Sequence, residues 1–283
     1  MQHKSKSGNP RFGDLKGKSG IYPVALTIAG SDCSGGAGLE ADLKTFAAFR
    51  VFGMAAVTCV VAENPRQVVS LQPVSELTLV QQIDCCLNGM KSVAVKTGLV
   101  YSAPLIKRIS DALQRHRKSV RALVVDPVMV ATSGKRLLQE NAVCAMKELI
   151  RKHAFLVTPN LDEAEILACR RIRTEGEMLQ AAWTIAEEFK CAVLLKGGHR
   201  NDPRYARDYL WDGQMGFWLS ATRVKHVKTH GTGCTYSAAI TANLACGLSL
   251  QESVHEAKEF VTHAIRTMCR FKPWMALNHS SFL

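Results

Sequence analysis

The chain has 283 residues, with 36 Lys and Arg against 24 Asp and Glu for a formal net charge of +12, and is 47% hydrophobic and 21% charged. That mixture excludes a disordered chain, collagen and a coiled coil, and the length suits one large domain or two small ones. Residues 1–20 hold Lys4, Lys6, Arg11, Lys16 and Lys18 against Asp14 alone and lack an apolar signal core. They read as a basic, flexible extension, whose removal leaves +8 on the remainder. A basic body suits anionic ligands, whereas nucleic acid is not expected, because no recognisable nucleic-acid motif or interleaved aromatic run accompanies the charge.

The body alternates short β-branched runs with longer helical patterns and shows no repeat or linker, so residues 21–271 are expected to form one domain with a tail at 272–283. In chain order the patterns predict strands at 24–29, 54–61, 93–96, 122–126, 155–158 and 192–196. Helices are predicted at 40–50, 76–89, 103–116, 138–152, 175–189, 235–246 and 251–270. The strand runs lack in/out alternation, as strands buried on both faces do. This points to a mostly parallel α/β sheet with right-handed crossovers and ligands at the carboxyl ends of its strands. Residues 208–211 and 217–221, with Asp212-Gly213 between them, read as an edge hairpin closed by a primed two-residue turn. The ten cysteines lie mostly in apolar runs without C-x-x-C or metal spacing and read as reduced thiols of a cytoplasmic protein. No apolar stretch approaches the ~20 residues of a membrane-spanning helix, so no membrane partner is expected.

Chemistry is concentrated in the turns after the strands. The first strand runs into Gly30-Ser31-Asp32-Cys33-Ser34-Gly35-Gly36-Ala37-Gly38, whose glycines let backbone N–H groups approach a ligand. The spacing matches neither a dinucleotide fingerprint nor a P-loop, and a tight βα turn explains it as well. A sharper signal is His230-Gly231-Thr232-Gly233-Cys234-Thr235 ahead of a long apolar helix. A helix opened by Gly-Thr-Gly aims N–H groups and its positive dipole end at one point, where charge on a transferring phosphoryl group would be stabilised. Cys234 at that point is expected to be partly thiolate and able to take a hydroxyl proton; a small packing cysteine is the alternative. Asp126 ends a strand at the sheet's ligand edge, and Thr158-Pro159-Asn160-Leu161-Asp162-Glu163 adds oxygen donors suited to Mg²⁺ beside nucleotide phosphates. Asp162 and Glu163 also fit the first turn of a helix. Lys196-Gly197-Gly198-His199 offers a cation to phosphate, or a solvated surface lysine.

These pieces together resemble the hydroxymethylpyrimidine/phosphomethylpyrimidine kinases of thiamine biosynthesis, in the ribokinase-like superfamily that also holds pyridoxal kinases. The resemblance spans residues 24–270 and rests on Leu26-Thr27-Ile28-Ala29-Gly30-Ser31-Asp32, Gly35-Gly36-Ala37-Gly38, Ala41-Asp42-Leu43-Lys44-Thr45-Phe46, Asp126-Pro127-Val128-Met129-Val130, Thr158-Pro159-Asn160-Leu161, Lys196-Gly197-Gly198-His199 and His230-Gly231-Thr232-Gly233-Cys234-Thr235. It implies a three-layer α/β/α fold and a homodimer. It also implies transfer of the ATP γ-phosphoryl group to a pyrimidine hydroxymethyl group and then to the resulting monophosphate.

By the same resemblance, Gly231, Gly233 and Cys234 form the anion hole and catalytic turn. Asn160, Lys196 and Thr232 face the nucleotide, Asp126 and Glu163 arrange Mg²⁺, and Gly30, Ala37, Val61, Glu63, Leu99 and Val128 meet the pyrimidine. The chain departs from the family at Val61-Ala62-Glu63-Asn64, where the family has Gln before Asn. An ionised carboxylate offers only acceptors to a ring edge that presents a donor beside an acceptor. It departs again at Thr132-Ser133-Gly134, where the family's preceding Lys is replaced by Lys135 and Arg136 downstream, at Glu40, and at Phe271-Lys272-Pro273-Trp274 in place of a Gly-Pro segment. The alternatives are a kinase for a related heterocycle such as pyridoxal or pyridoxine, and a non-catalytic ligand-binding module.

Overall fold

The computed structural model of the chain describes residues 22–91, 93–129, 141–198, 202–224, 227, 230–272 and 274–280. The extension expected at 1–20, the loop Thr132-Ser133-Gly134 with Lys135 and Arg136, and His199 lie outside the described residues. The elements run β1 (Val24–Asp32), α1 (Gly38–Ala48), β2 (Phe52–Asn64), β3 (Gln67–Pro73), α2 (Glu76–Leu87), β4 (Val93–Thr97), α3 (Ala103–Arg115), β5 (Val120–Val125), α4 (Ala142–His153), β6 (Leu156–Val157), α5 (Leu161–Ala168), α6 (Glu175–Phe189), β7 (Ala192–Lys196), β8 (Tyr205–Trp211), β9 (Gly216–Thr222), α7 (Thr232–Ala245), α8 (Leu250–Arg266), β10 (Cys269–Phe271) and β11 (Trp274–Ala276).

One nine-stranded sheet has the order β3-β2-β1-β4-β5-β6-β7-β8-β9. Its centre, β2 to β7, pairs parallel, while β3 at one edge and β8 with β9 at the other pair antiparallel. Both faces are apolar, as the unbroken runs predicted. Leu26, Ile28, Val95, Leu123 and Val193 pack toward α2 to α6. The small Ala25, Ala94, Ala122 and Ala192 face the other layer of α1, α7 and α8. Those alanines let α7 lie close on the sheet, and every residue from Thr235 to Leu244 is buried. Most of its polar side chains are bonded within or beyond the helix: Thr241 Oγ1 donates to the Ser237 carbonyl, Ser237 Oγ to Asp126 and Asn243 Nδ2 to the Ser253 carbonyl.

The differences from expectation are local. β3 arises because Asn64 turns the chain, its Oδ1 accepting from Arg66 N at 2.9 Å and Gln67 N at 3.3 Å, so that β2 folds back on itself. The β8–β9 connection spans four residues, 212–215, rather than two. Asp212 Oδ1 accepts from Gln214 N at 2.8 Å and Met215 N at 2.9 Å, so a side-chain turn replaces the primed turn. The last helix stops at Arg266, and Cys269–Phe271 pairs with Trp274–Ala276. The boundary drawn after Phe271 therefore falls inside a hairpin. Beyond it Leu277 and His279 are buried, and His279 Nε2 lies 3.0 Å from Thr235 Oγ1 of α7.

Lys96 is the penultimate residue of β4 and has no solvent exposure. Its Nζ donates to both Asp42 oxygens, at 2.8 and 2.7 Å, and Thr27 Oγ1 donates to Asp42 Oδ2 at 2.6 Å. Burial opposes the charge on Lys96, but Asp42 holds its pKa above the ordinary lysine value. Removing one partner of such a pair leaves the other uncompensated, at a cost of about 3–5 kcal/mol. Lys96→Met is therefore expected to destabilise the fold by about that amount in urea titration, and Lys96→Met with Asp42→Leu to recover most of it.

Candidate functional site

The carboxyl ends of β1, β4, β5 and β7, together with the residues that follow β6, open on one cleft of about 760 Å³. Gly30, Ala37, Val61, Glu63, Leu99 and Val128 line it, as do Asp126, Asn160, Glu163, Lys196, Gly231, Thr232, Gly233 and Cys234. The two glycine bends meet there. Gly231 has φ +78°, and a Cβ on it would lie 1.8 Å from the Gly36 carbonyl oxygen; one on Gly36 would lie 2.9 Å from the His230 ring. Both positions exclude a side chain, so the bends touch backbone to backbone. Gly231 is also the N-cap of α7, and among the described residues no side chain caps that helix start, where N–H groups and the positive dipole end face outward.

Beneath Gly233 lies an ionic pair. A Cβ on Gly233 would stand 3.3 Å from Lys196 Nζ, which donates to Asp126 Oδ1 at 2.9 Å. Asp126 also accepts from Ser237 Oγ of α7 at 3.0 Å and from Thr158 Oγ1 at 3.4 Å. Burial pushes the Asp126 carboxyl up, but Lys196 and Lys96 outweigh it and hold the pKa below the usual range. Lys196 is itself kept above its ordinary value, because Asp126 and Glu163 outweigh its burial. It is thus an internal cation rather than a solvated surface lysine.

Asn160 and Glu163 form a capping box on α5: Asn160 Oδ1 accepts from Glu163 N at 2.9 Å and Glu163 Oε2 from Asn160 N at 2.8 Å. The helix-start reading thus holds for Glu163, which nonetheless lines the cleft and is 3% exposed. Burial, with the Asp126 charge added, raises its pKa to about 7. Two buried carboxylates facing one cleft, one of them reluctant to ionise, fit a divalent cation with hard oxygen preferences. Glu163 oxygens already receive backbone N–H groups, which favours contact through the cation's water shell.

Cys234 differs from its expected ionisation. Burial, reinforced by Asp42 and Asp126, pushes the thiol up to about 11 in spite of Lys96 and the Gly38 backbone. The Lys96 charge and the Gly38 backbone do not offset that burial. The resting side chain is a thiol.

At the other flank Asp32, Glu63 and His230 bring carboxylate oxygens and a ring nitrogen within 4.8 Å of one another. Asp32 is committed: His230 Nε2 lies 3.0 Å from its Oδ2, and Ser34 N and Ala37 N donate to it at 2.8 Å each. These bonds outweigh burial and hold its pKa near 2. Glu63 moves the other way, to about 7, through burial and the Asp32 and Glu40 charges, with the His230 imidazole opposing.

The sequence reading missed three features. Lys96, on the cleft wall, was legible as a lysine inside an otherwise apolar strand. Asp208 and Lys258, paired at 2.6 Å, join β8 to α8 across 50 residues, a separation that no local pattern reports. The apolar end of the cleft, with Val224, Val227, Val261 and Ile265, is assembled from two distant segments.

The family signature described as phosphomethylpyrimidine kinase matches residues 32–277. The hydroxymethylpyrimidine/phosphomethylpyrimidine kinase of Rhizobium meliloti is 43% identical over 250 residues, covering 88% of this chain and 92% of its own. That of Bacillus subtilis is 38% identical over 241 residues, covering 85% and 88%. Among solved structures, the Staphylococcus aureus pyridoxal kinase in complex with AMP-PCP and pyridoxal superposes with a TM-score of 0.84 at 32% identity, covering 93% of this chain and 95% of that one. A phosphomethylpyrimidine kinase from Clostridium difficile gives 0.73 at 35%, covering 86% and 99%. The ribokinase-like, three-layer architecture expected from the resemblance is therefore the architecture found.

Because only the thiolate reacts with iodoacetamide, Cys234 is expected to alkylate at least ~10 times more slowly at pH 7.5 than exposed Cys33 and Cys85. Its rate should climb about tenfold per pH unit through pH 9. Site-resolved mass spectrometry checks both, and a rate that levels off below pH 8 would show a resting thiolate.

Proposed function

The chain belongs to the phosphomethylpyrimidine kinase family, and on that premise we propose that it moves the γ-phosphoryl group of ATP onto the hydroxymethyl group of 4-amino-5-hydroxymethyl-2-methylpyrimidine, and then onto the monophosphate so formed, in thiamine biosynthesis. The observation that carries this is the amide turn Gly231 to Cys234 standing directly over the Lys196–Asp126 pair. The turn presents donors and a helix dipole where charge develops on a transferring phosphoryl group, with a cation already fixed below. Phosphoryl transfer needs little beyond such positioning and charge stabilisation.

The adenine would occupy the apolar end beside Val224, Val227, Val261 and Ile265, with its phosphates toward Thr232, Asn160 and Lys196. Mg²⁺ held at Asp126 and Glu163 would neutralise part of the polyphosphate charge. The heterocycle would lie against Gly30, Ala37, Val61, Leu99 and Val128, its alcohol directed at Cys234. The alcohol oxygen bonds to the γ phosphorus, the β–γ bridging bond breaks, and ADP leaves. The alcohol proton departs late in a loose transition state, so a resting thiolate is not required. Lys96 beside the sulfur favours its thiolate over the thiol, and that minority form takes the alcohol proton, returning to the thiol as it does so.

We further infer a homodimer in the cytoplasm. Val60 and Val69 on the outward side of β2 and β3, 53% and 67% exposed, support a covering partner. Among the described residues no helix is long and apolar enough to cross a membrane. The closer superposition on the S. aureus pyridoxal kinase favours pyridoxal as a second acceptor at the same site.

ADP release is the test. Turnover with the hydroxymethylpyrimidine and ATP is expected, with pyridoxal competing for one site. Cys234→Ala should lose at least ~100-fold in kcat while its nucleotide affinity and thermal midpoint stay put. No release with either acceptor, combined with tight binding of both, would instead make the protein a ligand-binding module.

A further inference from the structure

Glu63 sits on the cleft wall two residues beyond Val61, on the same side of β2. The pairing with β3 shifts register between Ala62 and Glu63, with Val69 as the extra residue on β3. Among the described residues no hydrogen bond reaches its carboxyl, although its backbone carbonyl accepts from Cys33 Sγ at 3.2 Å. The carboxyl is therefore a half-buried, unpartnered group facing the space where the proposed function puts the heterocycle.

The groups around it favour a proton on it. Asp32 at the end of β1 and Glu40 on α1 are both acidic, and Glu40 is itself tied to Ser31 Oγ and Asp32 N. From β2, the Cys59 thiol is buried and pushed up to about 11 by that burial and by Glu63 itself. The β2–β3 turn contributes Arg66, which is exposed. His230, ahead of α7, favours ionisation, but it is already bonded to Asp32.

We propose that Glu63 reads the acceptor ring as a carboxylic acid, its C=O and O–H standing in for the acceptor and donor of a carboxamide, so that the pyrimidine binds only with one proton shared between this carboxyl and the ring nitrogen. The chemistry is complementary: the 4-amino group donates to the carbonyl oxygen, and the ring nitrogen receives the proton. Whether that proton rests on oxygen or nitrogen, the pair carries one. An ionised carboxylate would turn two acceptors on each other, an unpaired contact costing about 1–3 kcal/mol. This inference rests on the kinase reading above and deepens it, since it makes acceptor capture pH-dependent at a site separate from the phosphate machinery.

The experiment is a KM profile for the hydroxymethylpyrimidine at saturating ATP. In the native enzyme KM is expected to rise about tenfold from pH 6.5 to pH 8, as one proton per bound ring must be recovered. The KM for ATP and the native kcat should not follow that titration. In Glu63→Gln, whose amide needs no proton, the acceptor KM should stay level over the same range. A substrate analogue with C–H in place of the ring nitrogen should give the native enzyme a level profile. A level native profile with the true substrate, or a rise that persists in Glu63→Gln, overturns the proposal while leaving the kinase reading intact. Absence of ADP release under all conditions overturns the kinase reading instead.

Discussion

Asp126 is the point on which the site depends. One carboxylate at the end of a central strand accepts from Lys196 on β7, Thr158 after β6 and Ser237 on α7, so it holds sheet and helix in one register. The same bonds hold it ionised in a buried setting, where an unpaired carboxylate would take up a proton. Placement of the α7 amides over Lys196 follows from this junction. The turn from Gly231 to Cys234 is as firmly placed as the core beneath it, because it is built on that core.

Glycine and alanine carry as much of the architecture as the charges do. Alanines on one face of β1, β4, β5 and β7 let α7 settle close to the sheet. That closeness brings Gly231 against Gly36 with no room for a Cβ on either. The two bends form one surface because small residues were placed at three successive layers.

Much of this was legible in the sequence, and the reasons differ by residue. Runs such as Ala192–Lys196 are apolar on both faces, and only a covered parallel sheet accommodates them. The Gly-Thr-Gly turn before a long apolar helix announces its own geometry. By contrast, β3 follows from an Asn64 side chain bonding to its own backbone, which the strand pattern did not announce. The ionisation of Cys234 was misjudged for a physical reason: the helix-terminus effect is a local property readable from sequence, whereas desolvation depends on everything folded over the sulfur. Glu63 is the complementary case, since its identity was visible and its protonation was not. The carboxylates of Asp32 and Glu40, which shift it, come from residues 31 and 23 positions away in the chain.

The contact between Gly36 and Gly231 also has a bearing on how the molecule comes into being. Its two halves lie 195 positions apart, and the His230 to Asp32 bond beside it spans 198. Contacts of such long separation form late, after the intervening chain has collapsed. During synthesis this junction cannot form until Gly231 and the start of α7 have left the ribosome. A chain that stops short of α7 therefore has the parallel strands and most of their helices but lacks the junction of the two glycine bends.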